Sequence, residues 1–141
     1  MSKNTAEIRV GRLLEVRLDA GYHSLREVDD LVDLFFSAVW ALPAETKHVT
    51  VVDWRLCPIM SPDCATYVGE KMVVVNSRTE RSASIVPRDA PLNVLQFTRL
   101  IRDARNPMRR PFRDDASATT WLSEALTPDE RQRLRAFLAR A

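Results

Sequence analysis

The sequence predicts an α/β fold: a small sheet of about four to five strands, with α-helices packed mainly on one face. Three observations lead there. Within His48–Trp54 the run Val49, Thr50, Val51, Val52 is β-branched and nearly continuously apolar, which fits a strand covered on both faces. Segments of strand character alternate with segments whose apolar residues recur every three or four positions, the pattern of parallel neighbours joined by right-handed crossovers. Ser24 with Glu27, and Thr127 with Glu130, have the spacing of capping boxes, so helices start there.

Taken in order, Ile8, Val10, Leu14, Val16 and Leu18 alternate with Arg9, Glu15 and Arg17, the period of a half-buried strand. Gly11 interrupts it, so the stretch is one strand or two short ones broken at the glycine. After Ser24 a long helix carries Leu25, Val28, Leu31, Val32, Phe35, Val39 and Leu42 on one face until Pro43 ends it. Phe36 and Trp40 widen that stripe, as core or as a contact with another subunit. Beyond the central strand, Ser61, Pro62 and Asp63 supply a cap, a proline for the first helical position and a first-turn acid. The helix they open runs to about Arg78, with Ala65, Val68, Met72 and Val75 inward. Ser82–Val86 reads as the next strand, and Leu92–Ala104 as a helix burying Val94, Phe97, Leu100, Ile101 and Ala104. Met108–Arg113 is a last edge strand, where Pro111 is tolerated because an edge need not donate every amide. Asp115 caps a further helix, and the Thr127 box opens the last one, which buries Leu134, Phe137 and Leu138.

A chain of 141 residues is expected to form one domain, 1–141, that buries roughly two-thirds of its unfolded surface. No apolar run approaches the ~20 residues that cross a bilayer, and Met1–Ala6 lacks a signal-peptide core, so stable membrane insertion is not expected and the expected location is cytoplasmic. Cys57 and Cys64 are then expected to be free thiols. They lie without a histidine pair at zinc-finger spacing, so no metal is expected. A formal net charge of +2 is too small to argue for nucleic acid. Charge is nevertheless uneven. Residues 15–33 hold six acids against two arginines, whereas 78–113 hold nine arginines against three acids, a polarity that suits steering a partner or pairing two copies in a homodimer. No Gly-x-Ser-x-Gly elbow is present, and with Gly11, Gly21 and Gly69 as the sole glycines no phosphate loop can form. His23 and His48 are isolated in sequence. No catalytic residue and no cofactor is expected.

The polar residues that gather where the buried strand ends are Asp53, Arg55, Ser61 and Asp63, the expected partner-binding residues. Each also has a plain structural use: Ser61 as cap, Asp63 against the helix dipole, Asp53 with Arg55 at a strand end.

The element order, with Val51, Val52 and Asp53 ending a central strand and Ile59, Met60, Ser61, Pro62, Asp63 and Cys64 leading into a helix, resembles the STAS fold of bacterial anti-sigma factor antagonists. Arg109, Arg110, Pro111 and Phe112 followed by Ala118, Thr119, Thr120, Trp121 and Leu122 resemble the ending of the SpoIIAA-like proteins of the STAS/SEC14 group. The resemblance implies a small STAS-like (SpoIIAA-like) sheet and a non-enzymatic regulatory or adaptor module in signalling. It would bind a protein partner through the loop and helix start between Asp53 and Asp63. In the antagonists a serine in the motif Asp-Ser-Ser-Gly is phosphorylated. That position falls on Asp63 here, so a permanent negative charge replaces the switch. The SEC14 side of the resemblance implies the alternative, a small apolar ligand or lipid held between the sheet and the outer helices.

Overall fold

The chain runs β1 (Asn4–Ile8), β2 (Leu13–Leu18), α1 (Leu25–Trp40), β3 (His48–Asp53), α2 (Pro62–Val74), β4 (Thr79–Ile85), α3 (Pro91–Asp103), β5 (Arg109–Phe112), α4 (Asp115–Ser123) and α5 (Pro128–Leu138). This computed structural model describes residues 3–140; the ends of the expected 1–141 domain, including the first two residues of Met1–Ala6, lie outside the described residues. One mixed sheet has the order β1-β2-β3-β4-β5, with β1 antiparallel to β2 and the other pairs parallel. The α/β class and the size of the sheet agree with the sequence.

Each crossover from β2 to β5 advances the sheet by one strand in the same direction, so right-handed connections place α1, α2 and α3 on one face. The remaining helices, α4 and α5, fold back over the other. That second layer is what the apolar β3 requires. Val49 and Val51 pack with Leu13, Ala83 and Ile85 under Leu122, Leu134 and Phe137. On the opposite face Leu14, Val16, Leu18 and Val52 meet Val28, Leu31, Val68 and Phe97.

Several boundaries differ from those expected. Ile8–Leu18 is two strands forming a hairpin, broken at Gly11 (φ 58), and the first begins at Asn4. The polar residues of β2 are not on a wet face: Glu15 is buried beneath α5 and accepts from Arg133 at 2.8 and 2.9 Å. Ser24 does cap α1, but the Glu27 carboxylate accepts from the backbone N–H of His23, so the reciprocal half of that box is displaced by one residue. The Thr127 box is complete. Helix α2 ends at Val74 and a 3₁₀ turn, Asn76–Arg78, follows; β4 then starts before Ser82. Asp114, not Asp115, is the cap of α4. Trp40 is mostly exposed, stacked on Phe36 at 5.8 Å with the Arg78 guanidinium 5.2 Å from its ring.

Candidate functional site

Asp53 and Arg55 come together as expected, but they face inward. Asp53 points to the α4/α5 side of the sheet and is fully buried. Its Oδ1 accepts from the backbone N–H and the Nε of Arg55 at 3.0 and 2.9 Å, and its Oδ2 from Arg55 Nη2 and Arg17 Nη1 at 3.0 and 2.8 Å. Arg140 approaches the same oxygen at 3.4 Å. Burial alone would raise this carboxyl, yet the Arg55 hydrogen bonds and the surrounding cations hold it below the usual carboxylate range. The arginines are engaged in turn: Arg55 with Asp115 and the Leu138 carbonyl, Arg140 with Asp19, Arg17 with the Phe137 carbonyl and ring. Phe137 and Leu138 end α5, so the carbonyls met here are the negative end of that helix. The cluster is a clamp joining β2, β3, α4 and α5. This corrects the expectation that Asp53 presents itself to a partner. It also shows that acids of the 15–33 segment, Glu15 and Asp19, pair within the molecule.

Ser61 and Asp63 lie elsewhere, at the start of α2 on the other face. The Ser61 hydroxyl accepts from the Cys64 N–H at 3.3 Å and so caps the helix. Asp63 is exposed in the first turn. The loop before this helix, and α3, carry exposed apolar side chains. Leu56 and Ile59 of the preceding loop are 61% and 52% exposed, and Leu92 and Leu95 of α3 are 69% and 67% exposed. Ile59, Pro62, Val73, Leu92 and Leu95 line a groove between α2 and α3, whose floor includes Ala65 and Gly69 and whose rim carries Glu70, Arg99, Asp103 and Arg105. The loop is held open to this groove by Gln96, whose amide oxygen and nitrogen bond the N–H and C=O of Met60, each at 2.8 Å.

A third feature is a chamber of about 80 Å³ between the sheet and helices α1 and α2, walled by side chains such as Val16, Leu31, Phe35, Val52 and Met72. At one end Arg109 is 7% exposed and donates to Asn76 Oδ1, the Met72 carbonyl and Thr79 Oγ1. His48 lies beside it. Thr79 donates its hydroxyl to the Val75 carbonyl, so His48 Nε2 is the donor to Thr79 and Nδ1 accepts from Thr50. Burial, with Arg109, Arg78 and Arg12 nearby, pushes the His48 pKa down to about 3, which keeps the ring neutral. At the far end Trp54 packs on Phe97 at 4.5 Å, and its Nε1 is buried without a hydrogen-bond partner.

Cys57 and Cys64 are free and buried, and burial, with the Asp19 charge, pushes the Cys57 thiol up to about 12. Among the described residues no three His, Cys, Asp or Glu side chains are grouped to hold a metal ion. None of the described helices is long and apolar enough to cross a membrane. Comparison with protein-family models, with curated proteins and with solved structures finds no match.

Sequence reasoning missed Arg17 and Arg140 as partners of Asp53, and Asp115 as a partner of Arg55, because long-range ion pairs leave no local pattern. The groove had a signal: Leu92 and Leu95 are three apart and out of phase with the buried positions of their own helix.

Proposed function

We propose that this chain is a non-enzymatic STAS-like regulatory or adaptor module, located in the cytoplasm, that binds a protein partner. The docking surface is the loop from Leu56 to Met60, the start of α2 at Asp63, and the groove between α2 and α3. One observation carries the reading: Ile59, Val73, Leu92 and Leu95 are exposed together along one groove, although an apolar layer covers each face of the sheet. The fitting partner lays an apolar helical face into the groove and sets a cation against Asp63. The order of elements is the one the STAS resemblance leads one to expect, which supports placing the module in that class. The non-enzymatic part is supported by how the titratable groups are held. Asp53 is closed off by arginines, His48 is buried and neutral, and the Cys57 thiol is far from ionising at neutral pH. Of the alternative, a small apolar ligand or lipid between the sheet and the outer helices, the lipid is weaker on size, since about 80 Å³ leaves no room for a long acyl chain.

The test starts from a partner captured by the full chain. Asp63→Lys and Leu95→Asp should each fold and weaken that partner at least tenfold, about 1.4 kcal/mol, while Ser61→Ala leaves binding intact once folded. Wild-type affinity in both Asp63→Lys and Leu95→Asp would remove this surface.

A further inference from the structure

We propose that the chamber between the sheet and helices α1 and α2 binds a small apolar carboxylate, whose head group is held by Arg109. This goes beyond the docking surface and does not depend on it.

The first argument is the isolation of Arg109. Arg17, Arg55, Arg133 and Arg140 each lie within 3.0 Å of a carboxylate oxygen, whereas the half-buried Arg78 and Arg131 donate to backbone carbonyls. Arg109 is more deeply buried than these, and among the described residues no carboxylate reaches it. Its three hydrogen bonds, at 2.9, 3.1 and 3.4 Å, all go to neutral acceptors. Met72 sits in the last turn of α2, so its carbonyl supplies part of a countercharge, on the order of half an electron for the whole helix end. A full positive charge placed in an apolar wall is thus left partly uncompensated, a costly arrangement unless something else neutralises it.

The second argument is the sign of everything polar around the chamber. Lys71 joins Arg109 in the lining, and no aspartate or glutamate does. Trp54 Nε1, buried and without a partner, can only donate. Thr50 and Ser84 also line the chamber, and hydroxyls adapt to either role. Every group that lacks a partner or a countercharge is therefore a donor or a cation, and the rest of the wall is hydrocarbon. The ligand that complements the Arg109 end is an anion with an apolar body.

Size narrows the class. A volume of about 80 Å³ is several times the ~10–15 Å³ that admits one water, room for a body of several heavy atoms. A long acyl chain does not fit, and a short or branched aliphatic carboxylate does. Nε and Nη2 of Arg109 are already engaged, so the ligand carboxylate would meet the remaining Nη1 in a charge-assisted hydrogen bond.

Pentanoate, pentanol and pentylamine share a body and differ in the head, so they test the assignment. Each is titrated into the full chain while backbone amide resonances are followed. Pentanoate should shift residues of β3, β4 and the end of α2 saturably, at least tenfold more tightly than pentanol, and pentylamine should not bind there. Arg109→Met should abolish the preference for the acid over the alcohol, whereas Lys71→Met should keep most of it. Should Arg109→Met not fold, methyl pentanoate makes the same comparison on the wild-type chain, because it keeps the shape and drops the charge. Equal binding of acid and ester, preference surviving in folded Arg109→Met, or shifts confined to surface arginines would overturn the assignment. None of these results bears on the α2–α3 groove, whose variants are read against a protein partner.

Discussion

Asp53 shows how a residue that reads as a surface contact becomes an internal one. In sequence it ends a strand near an arginine; in the fold it gathers Arg17 from β2, Arg55 from the turn after β3 and Arg140 from the C-terminal segment. Removing one partner of a buried charge cluster leaves the others uncompensated. Asp53→Ala should therefore cost about 3–5 kcal/mol, against about 0.5–2 kcal/mol for Ser61→Ala, which loses a cap. Denaturant unfolding of the two variants checks this, and a loss below about 1 kcal/mol for Asp53→Ala would contradict the clamp. His48 gives a pH signature. Its folded pKa lies at about 3, below the 6.5 of a free imidazole, so below pH 6.5 the unfolded chain takes a proton that the folded chain refuses. Stability falls as pH drops through that window, by about 2 kcal/mol at pH 5. The Asp53 carboxyl, depressed in the fold, adds its own loss only below about pH 4, where unfolded carboxyls protonate. Stability curves for wild type and His48→Gln should diverge in slope between pH 6.5 and 5; parallel curves would show that His48 is not the group responsible.

Among the elements, α5 is tied at both ends. Its first turn carries Glu130, buried, which accepts from the Thr127 N–H and reaches the β1–β2 turn to accept from the Arg12 N–H, both at 2.8 Å. Its last turn meets the Asp53 arginines. Gly11 is needed at that turn for two reasons: φ is 58, and a Cβ there would stand 2.1 Å from Glu130 Oε2. Gly11→Ala should lose about 2–3 kcal/mol, more than the ~1–2 kcal/mol of a left-handed alanine alone. A loss of about 1 kcal/mol or less in a thermal or denaturant melt would mean that the Glu130 contact yields freely. These ties explain what the sequence left hidden. The run Val49–Val52 and the Thr127 box were legible because strand burial and capping are local. Strand β1 was not, since Asn4, Thr5, Ala6 and Glu7 show no apolar alternation; the Asn4 side chain, bonded to Gly21 O and Ala20 N, helps to hold it. Nor was the covered face of β2 legible. Glu15 and Arg17 look like residues meant for water, and ion pairs with a distant helix satisfy them equally well.

Across the whole molecule, the sequential strand order has a functional consequence. A sheet that always advances the same way has no point where crossovers diverge to opposite faces, so the crevice in which many α/β sheets bind ligands is missing at the end of β3. The clamp fills that place. What remains for recognition lies on the α1–α3 side: an exposed groove between α2 and α3, and a small chamber behind α1 and α2. The polar junction after β3 was legible as a place where residues gather, but its division into an internal half (Asp53, Arg55) and an external half (Leu56, Ile59, Asp63) follows from which face each residue takes. The most direct test is amide hydrogen exchange of the full chain, free and saturated with its captured partner. The account predicts that protection on binding concentrates in residues 56–73 and 91–99. Protection confined to α4, α5 and the β1–β2 hairpin, with the α2–α3 groove exchanging as in the free chain, would contradict it.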